Sequence, residues 1–186
     1  MNKKEINTFI KNVGLEIRKE REYRELSIKF MANAMNITKS YYAQLETTTN
    51  EKVSLYKYAK MTNIIGVPLY VILKRSASKP CNDANYVNLI NYNIDELIDS
   101  VSYYLREVRL SKNITQKNIA KKLNITRQYY GHIETGKTKS ISLYRYLEVT
   151  LILGVGLYEV IENAETYLFN KHKIQHTSID IKEDNI

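Results

Sequence analysis

A long internal repeat constrains this chain more than any other feature of its sequence. Residues 10–73 align with residues 98–161 at a constant offset of 88 and without a gap, and about 23 of the 64 positions are identical. The Asn-Ile-Thr at 36–38, for example, returns at 124–126. Because solenoid repeats have periods of roughly 20–50 residues, a period this long indicates a duplicated small domain.

The repeat predicts two small domains within the 186 residues. The predicted boundaries are 1–75 for the first domain, 76–92 for a linker, 93–171 for the second domain and 172–186 for a polar tail. We call residues 1–75 the first repeat and residues 93–171 the second repeat. A domain of about 65 residues is near the lower size limit for a lone core, so docking between the repeats would add to the stability of each.

Apolar residues at helical spacing predict an all-α fold with five helices in each repeat. Between Ile94 and Val108 they recur at i, i+3 and i+4, which is typical of an amphipathic helix. Polar residues mark the next two helices: Thr115 and Thr126 are predicted N-caps, and Asn124 is placed for a left-handed helix exit. The corresponding residues of the first repeat are Ser27, Thr38 and Asn36.

Positive charge is concentrated in one segment of the chain. The net charge is +8, and residues 105–145 hold ten Lys or Arg against only Glu107 and Glu134. Residues 80–186 as a whole are neutral, with 13 basic and 13 acidic residues. Charge focused on one segment is what a nucleic-acid-binding surface requires.

Several other classes of protein are not expected. Cys81 is the only cysteine, so the sequence offers no disulfide and no cysteine cluster for zinc. It has no apolar run of signal-peptide or membrane-spanning length, which predicts a soluble cytoplasmic protein without membrane contact. We find no glycine-rich phosphate loop, metal-ligand set or nucleophile with a base, so we expect no cofactor, no metal and no enzymatic activity.

Two short helices joined by a tight turn, the second opening with polar side chains, describe a helix-turn-helix. The stretch TQKNIAKKLNITRQYYGHIETGK (115–137) closely resembles the lambda-repressor and Cro-like, XRE-type family of bacterial DNA-binding domains. That family has a five-helix unit with the pattern Gln-x-x-Leu/Ile-Ala, a turn, a recognition helix and a closing Glu-x-Gly-Lys. The first repeat departs from it, because Ile28 replaces the Gln and residues 47–49 (Thr-Thr-Thr) replace the Gly-Lys turn.

The resemblance implies contacts to bases and to phosphates. Arg donates two hydrogen bonds to guanine, and Gln pairs with adenine. The implied base contacts are Arg127, Gln128 and His132 in the second repeat and Lys39, Ser40 and Gln44 in the first. The implied phosphate contacts are Thr115, Gln116, Lys117, Tyr129, Lys137, Thr138 and Lys139 in the second repeat and Ser27, Lys29, Tyr41 and Lys52 in the first. Tyr129 and Tyr41 have a second reading, in which they only pack at the domain edge.

The resemblance also implies two structural ion pairs. Arg109 with Glu134, and Arg21 with Glu46, are each 25 residues apart, at positions where the family ties its first helix to the end of its third. A partly buried ion pair is costly to break from one side. These four residues are therefore expected to hold the fold rather than to contact a ligand.

The sequence thus predicts a sequence-specific regulator of transcription that binds double-stranded DNA, most simply a repressor. With two different readers in one chain, it is expected to read two non-identical half-sites as an internal pseudo-dimer. The linker permits half-sites one turn, or about 34 Å, apart, in inverted or direct orientation. The alternative is a protein-interaction or oligomerisation module, in which only the second domain contacts DNA and the first serves self-association or a protein partner.

Overall fold

The structure is a computed structural model that describes residues 1–47, 50–78 and 92–183, with side chains up to residue 171. Its described residues are helical apart from turns, loops and one isolated backbone bridge, which confirms the predicted all-α fold. In the first repeat the helices are α1 Lys3–Tyr23, α2 Ile28–Met35, α3 Lys39–Thr47, α4 Leu55–Ile65 and α5 Leu69–Ser76. In the second they are α6 Ile94–Ser111, α7 Gln116–Lys122, α8 Arg127–Thr135, α9 Leu143–Leu153 and α10 Leu157–Glu183.

The turn between the second and third helices has the same geometry in both repeats. Asn36 and Asn124 both adopt the left-handed conformation, with φ of 57° and 52°. The amide that follows each Asn donates back to a carbonyl of the preceding helix at 3.0 Å. Asn tolerates this conformation better than most residues that carry a Cβ. The predicted helix exits are therefore confirmed, and each one directs the chain into the next helix, α3 or α8.

Hydroxyl groups fix where these helices begin. Thr115 and Thr126 accept the backbone N–H three residues further on, at 3.2 and 3.1 Å. Ser27 and Thr38 do the same in the first repeat, at 3.1 and 3.2 Å. Each predicted N-cap is confirmed, and each satisfies one of the amides that a helix start leaves without a partner.

The buried apolar side chains of both repeats belong to one continuous core. Tyr42 and its equivalent Tyr130 are fully buried in it, as are Tyr58 and Tyr146 to within 1%. The core continues from one repeat to the other because α5 packs against α10. The two repeats are thus joined through their interiors and not only through the linker.

Equivalent elements meet at the boundary between the repeats. Helix α1 packs on α9 and, reciprocally, α6 packs on α4, while α5 and α10 pack on each other. Ser54 and its equivalent Ser142 form an antiparallel bridge at the same boundary. Contacts in which i meets j and j meets i are isologous, so the repeats are arranged about an approximate two-fold axis near these serines.

Some of the predicted boundaries fall where the structure is not described. Helix α5 ends at Ser76, where the predicted linker begins, but residues 79–91 of that linker lie outside the described residues. So do Thr48 and Thr49, two of the three residues that replace the Gly-Lys turn. Helix α10 continues to Glu183, whereas the predicted polar tail begins at residue 172; no glycine or proline interrupts the helix there.

Candidate nucleic-acid interface

Helix α8 presents the predicted base-reading residues of the second repeat to solvent. Arg127, Gln128 and His132 are all exposed, while Tyr130 on the opposite side of the helix is fully buried. The N-cap of Thr126 makes Arg127 and Gln128 the first two residues of the helix. A helix of this kind enters the major groove with its N-terminal residues against the base edges.

A chain of polar contacts leads from the protein interior to Arg127. Arg109 donates to both carboxylate oxygens of Glu134, at 2.5 and 2.9 Å, and to the carbonyl of Ile114 at 2.8 Å. The amide of Gln116 donates to Glu134 Oε2 at 2.8 Å, and its carbonyl oxygen accepts from Arg127 Nε at 3.4 Å. Gln116, a predicted phosphate contact, therefore also orients a predicted base contact. Glu134, which accepts the hydrogen bond from Gln116, is only 6% exposed.

The charge of Glu134 is stabilised by this network. Burial by itself raises the pKa of Glu134, but hydrogen bonds from Arg109 and Gln116 outweigh that effect, and the pKa lies below its ordinary value. The ionised carboxylate is thus the form that the second repeat holds in place.

The first repeat has the same ion pair but lacks the outer part of the chain of contacts. Arg21 donates to Glu46 at 2.6 and 2.9 Å and to the carbonyl of Leu26 at 2.9 Å. Ile28 stands at the position of Gln116 and has no polar atom to pass the contact on to Lys39. Lys39 is exposed, as are the other predicted base contacts of this repeat, Ser40 and Gln44.

The predicted phosphate contacts divide into exposed groups and groups that already have partners. Lys29, Lys52, Lys117 and Lys137 are exposed. Thr115 and Ser27 are exposed as well and carry the N-caps of α7 and α2, and Thr138 is partly exposed.

The other three predicted phosphate contacts are Lys139, Tyr41 and Tyr129, and the first two already interact with other side chains. Lys139 forms an ion pair with Asp95 at 2.5 Å, beside the ring of Tyr56 from the first repeat. Tyr41 is half-buried and accepts a hydrogen bond from Lys57 at 2.6 Å. Tyr129 is 37% exposed on α8. Lys139 is thus drawn towards the boundary between the repeats, unlike the exposed Lys137.

A carboxylate that was not predicted from the sequence lies at the boundary between the repeats. Glu165 is completely buried and accepts hydrogen bonds from the backbone of Leu69 and Tyr70. The signal was present in the sequence, because Glu165 lies eight residues after Leu157, on the same face of α10 as the apolar Ile161 and Leu168. An acidic residue on an apolar helix face is seldom buried without a partner.

Two kinds of feature were not found in the described residues. In that part of the chain, no helix has the length and apolar character needed to cross a membrane. Nor do three or more His, Cys, Asp or Glu side chains of these residues come together as a potential metal site.

Comparison with known proteins supports the helix-turn-helix. Residues 105–160 match a family model described as Helix-turn-helix, and the match runs from the end of α6 to the start of α10. Neither the curated proteins nor the solved structures contained a match to this chain. The matched segment supports a DNA-binding regulator of transcription, with DNA as its partner.

Proposed function

We propose that the chain is a repressor that reads two non-identical half-sites of double-stranded DNA with an internal pseudo-dimer. The observation that carries this proposal is the reciprocal packing of the two repeats, with Ser54 opposite Ser142. Dimers of helix-turn-helix domains bind two half-sites related by the two-fold axis of the protein. A single chain with an internal axis of this kind has the symmetry that such a site needs.

The arrangement favours inverted rather than direct half-sites. Helix α3 packs on α1, and α8 packs on α6, so each recognition helix is fixed to an element that contributes to the two-fold boundary. A two-fold axis relates α3 to α8 with opposite polarity along the DNA. Direct half-sites would instead require the two repeats to be related by a translation.

The two half-sites are proposed to differ in sequence because the readers differ. Arg127 and Gln128 offer two-bond contacts to guanine and adenine in one half-site. The other half-site is faced by Lys39, Ser40 and Gln44. Lys39 stands there at the position of Arg127, and a lysine lacks the planar guanidinium with which arginine makes two parallel hydrogen bonds. Repression follows most simply, because a protein that covers two turns of DNA excludes other proteins from the same sequence.

A second candidate function rests on the surface of α2. Phe30 is 50% exposed and Ile28 is partly exposed, close to the N-terminus of a helix for which the resemblance implies phosphate contacts. Apolar side chains in that position suit a protein surface better than a phosphate backbone. In this alternative the first repeat binds a protein partner and only the second repeat contacts DNA.

Selection from a random-sequence pool of duplexes, followed by footprinting, distinguishes these two candidate functions. The pseudo-dimer predicts a selected site with two different inverted half-sites and a footprint that covers both. If six to ten phosphates are neutralised, affinity should fall by roughly 10³ to 10⁵ between about 50 and 200 mM salt. A selected site of one half-site only favours the second candidate, and a flat salt response contradicts DNA binding by either repeat.

A further inference from the structure

A buried carboxylate of the second repeat caps a helix of the first. Glu165 on α10 is 0% exposed. Its two oxygens accept the backbone N–H groups of Leu69 at 2.9 Å and Tyr70 at 3.0 Å, and the hydroxyl of Tyr92 donates to the same carboxylate. These amides are the first two of α5, so the contact lies at the N-terminus of that helix.

Helix α5 has no side-chain cap of its own. Pro68 is its N-cap residue and makes no side-chain hydrogen bond to the helix. The first amides of a helix need partners, and the positive end of the helix dipole favours an anion there. Glu165 supplies the acceptor atoms from the other half of the molecule. Burial raises the pKa of its carboxyl to about 7, and the hydrogen bonds from Tyr92, Tyr70 and Leu69 act in the opposite direction.

This contact has no counterpart across the approximate two-fold axis. Ala77, the residue just after α5, is 88 residues before Glu165, and Gly156 stands at the position of Pro68 in the second repeat. Helix α10 is served by its own Glu159, which accepts the N–H of Gly156 at 2.8 Å. The Glu165 contact therefore joins α10 specifically to α5 and distinguishes the two sides of an otherwise reciprocal boundary.

We propose that Glu165 is a positioning residue for DNA recognition, which sets the separation of the recognition helices α3 and α8 by fixing α10 against α5. The proposal rests on the proposed function, the reading of two half-sites by one chain. A continuous series of packed helices leads from one reader to the other: α3 on α1, α1 on α5, α5 on α10, α10 on α6 and α6 on α8. At the middle contact of this series, α5 on α10, Glu165 accepts three buried hydrogen bonds, from the backbone of Leu69 and Tyr70 and from the hydroxyl of Tyr92. The ion pair of Lys74 with Glu162, also between α5 and α10, is more exposed.

The preference for one distance between the two half-sites distinguishes a positioning role of Glu165 from a role in general stability. The probe is a duplex that the wild-type chain selects from a random-sequence pool, together with the same duplex carrying one or two extra base pairs at its centre. Glu165→Ala removes the acceptor atoms, and Glu165→Gln keeps the shape but offers one acceptor oxygen instead of two. Glu162→Gln is the matched control, because Glu162 lies one turn away and pairs with Lys74 across the same boundary at 2.7 Å, but is 36% exposed.

The wild-type chain and Glu162→Gln should lose about 10- to 100-fold in affinity on the longer duplexes, because the second reader no longer reaches its half-site. Glu165→Ala should bind the selected duplex about 10-fold more weakly than the wild type and discriminate less than about threefold between spacings. Glu165→Gln should lie between them, and it carries the test if the alanine variant does not fold. A Glu165 variant that folds and keeps the wild-type spacing preference overturns the proposal.

A second readout does not involve DNA. Amide hydrogen exchange at Leu69 and Tyr70 should be faster in the Glu165 variants than in the wild type, while the amides of α3 and α8 stay unchanged. Unchanged exchange at these two amides also overturns the positioning role. A wild-type chain that selects no duplex overturns the proposed function and the positioning role together. If the wild type selects a duplex with two half-sites and the Glu165 variants keep its spacing preference, only the positioning role is overturned.

Discussion

Ser54 and Ser142 occupy equivalent positions in the two repeats and lie opposite each other in an antiparallel bridge. The hydrogen bonds beside them are reciprocal: Leu55 donates to the carbonyl of Ile141 at 3.1 Å, and Leu143 donates to that of Val53 at 2.9 Å. A residue that meets its own equivalent lies on the axis that relates the two copies. The contacts beside the two serines are therefore reciprocal, as they are in the isologous interface of a homodimer.

Replacement of Arg127 by alanine should weaken binding to a selected duplex by about 1 to 3 kcal/mol and relax base preference at one position. The reason is the loss of a two-bond contact to guanine. Binding measured on the selected duplex and on duplexes substituted at each position checks this. Lys39→Ala is the matched control, and it should relax a position in the other half-site. Equal loss on specific and random duplexes would mean that Arg127 does not read a base.

Gln116→Ile gives the second repeat the residue that the first repeat has at that position, Ile28. The variant should keep its fold, since Arg109 still pairs with Glu134, but should discriminate less at the base that Arg127 reads. The physical reason is that Arg127 loses the carbonyl oxygen that orients it at 3.4 Å. A base-substitution series on the selected duplex measures the effect. Unchanged discrimination would contradict an orienting role for Gln116.

Arg109→Met should lower the free energy of unfolding by about 3 to 5 kcal/mol at neutral pH, because it leaves the carboxylate of Glu134 buried without its cation. The folded-state pKa of Glu134 is below its unfolded value, so its stabilising contribution is present above about pH 4.5 and is lost as pH falls through the folded pKa. The difference in free energy of unfolding between the wild type and Arg109→Met should therefore become smaller in acid. Urea unfolding of both proteins at neutral and acidic pH measures this difference. A difference that does not change with pH would contradict the role given to the ionised Glu134.

Lys137 and Lys139 should differ in their effect on the salt dependence of DNA binding. Lys137 is exposed, and Lys137→Ala should weaken binding on all sequences and lower the salt slope by about one. Lys139 is paired with Asp95, so Lys139→Ala should change the slope less. Affinities at several salt concentrations measure both slopes. Equal slopes for the two variants would contradict the difference that the ion pair implies.

Local features of this fold could be predicted from the sequence because they depend on neighbouring residues. The caps at Thr115 and Thr126 and the left-handed Asn124 each follow from one side chain and its own backbone. Residues 105–160, which match the Helix-turn-helix family model, contain both of these caps and this turn. The DNA contacts assigned to Arg127 and its neighbours remain predictions.

The relation between the repeats could not be predicted, because it depends on contacts between distant residues. The linker length permitted both inverted and direct arrangements, and nothing local favours the pairing of Ser54 with Ser142. Glu165 illustrates the same limit: an acidic residue on an apolar helix face indicates a buried partner. Only the docked structure identifies that partner as the start of α5, 96 residues earlier in the chain.

The most direct test is the number of chains bound to one selected duplex, measured by titration far above the dissociation constant and combined with a footprint of the same complex. An internal pseudo-dimer predicts one chain per duplex and protection of two half-sites on one face of the DNA, about 34 Å apart. Two chains per duplex, or protection of one half-site by one chain, would contradict the internal pseudo-dimer.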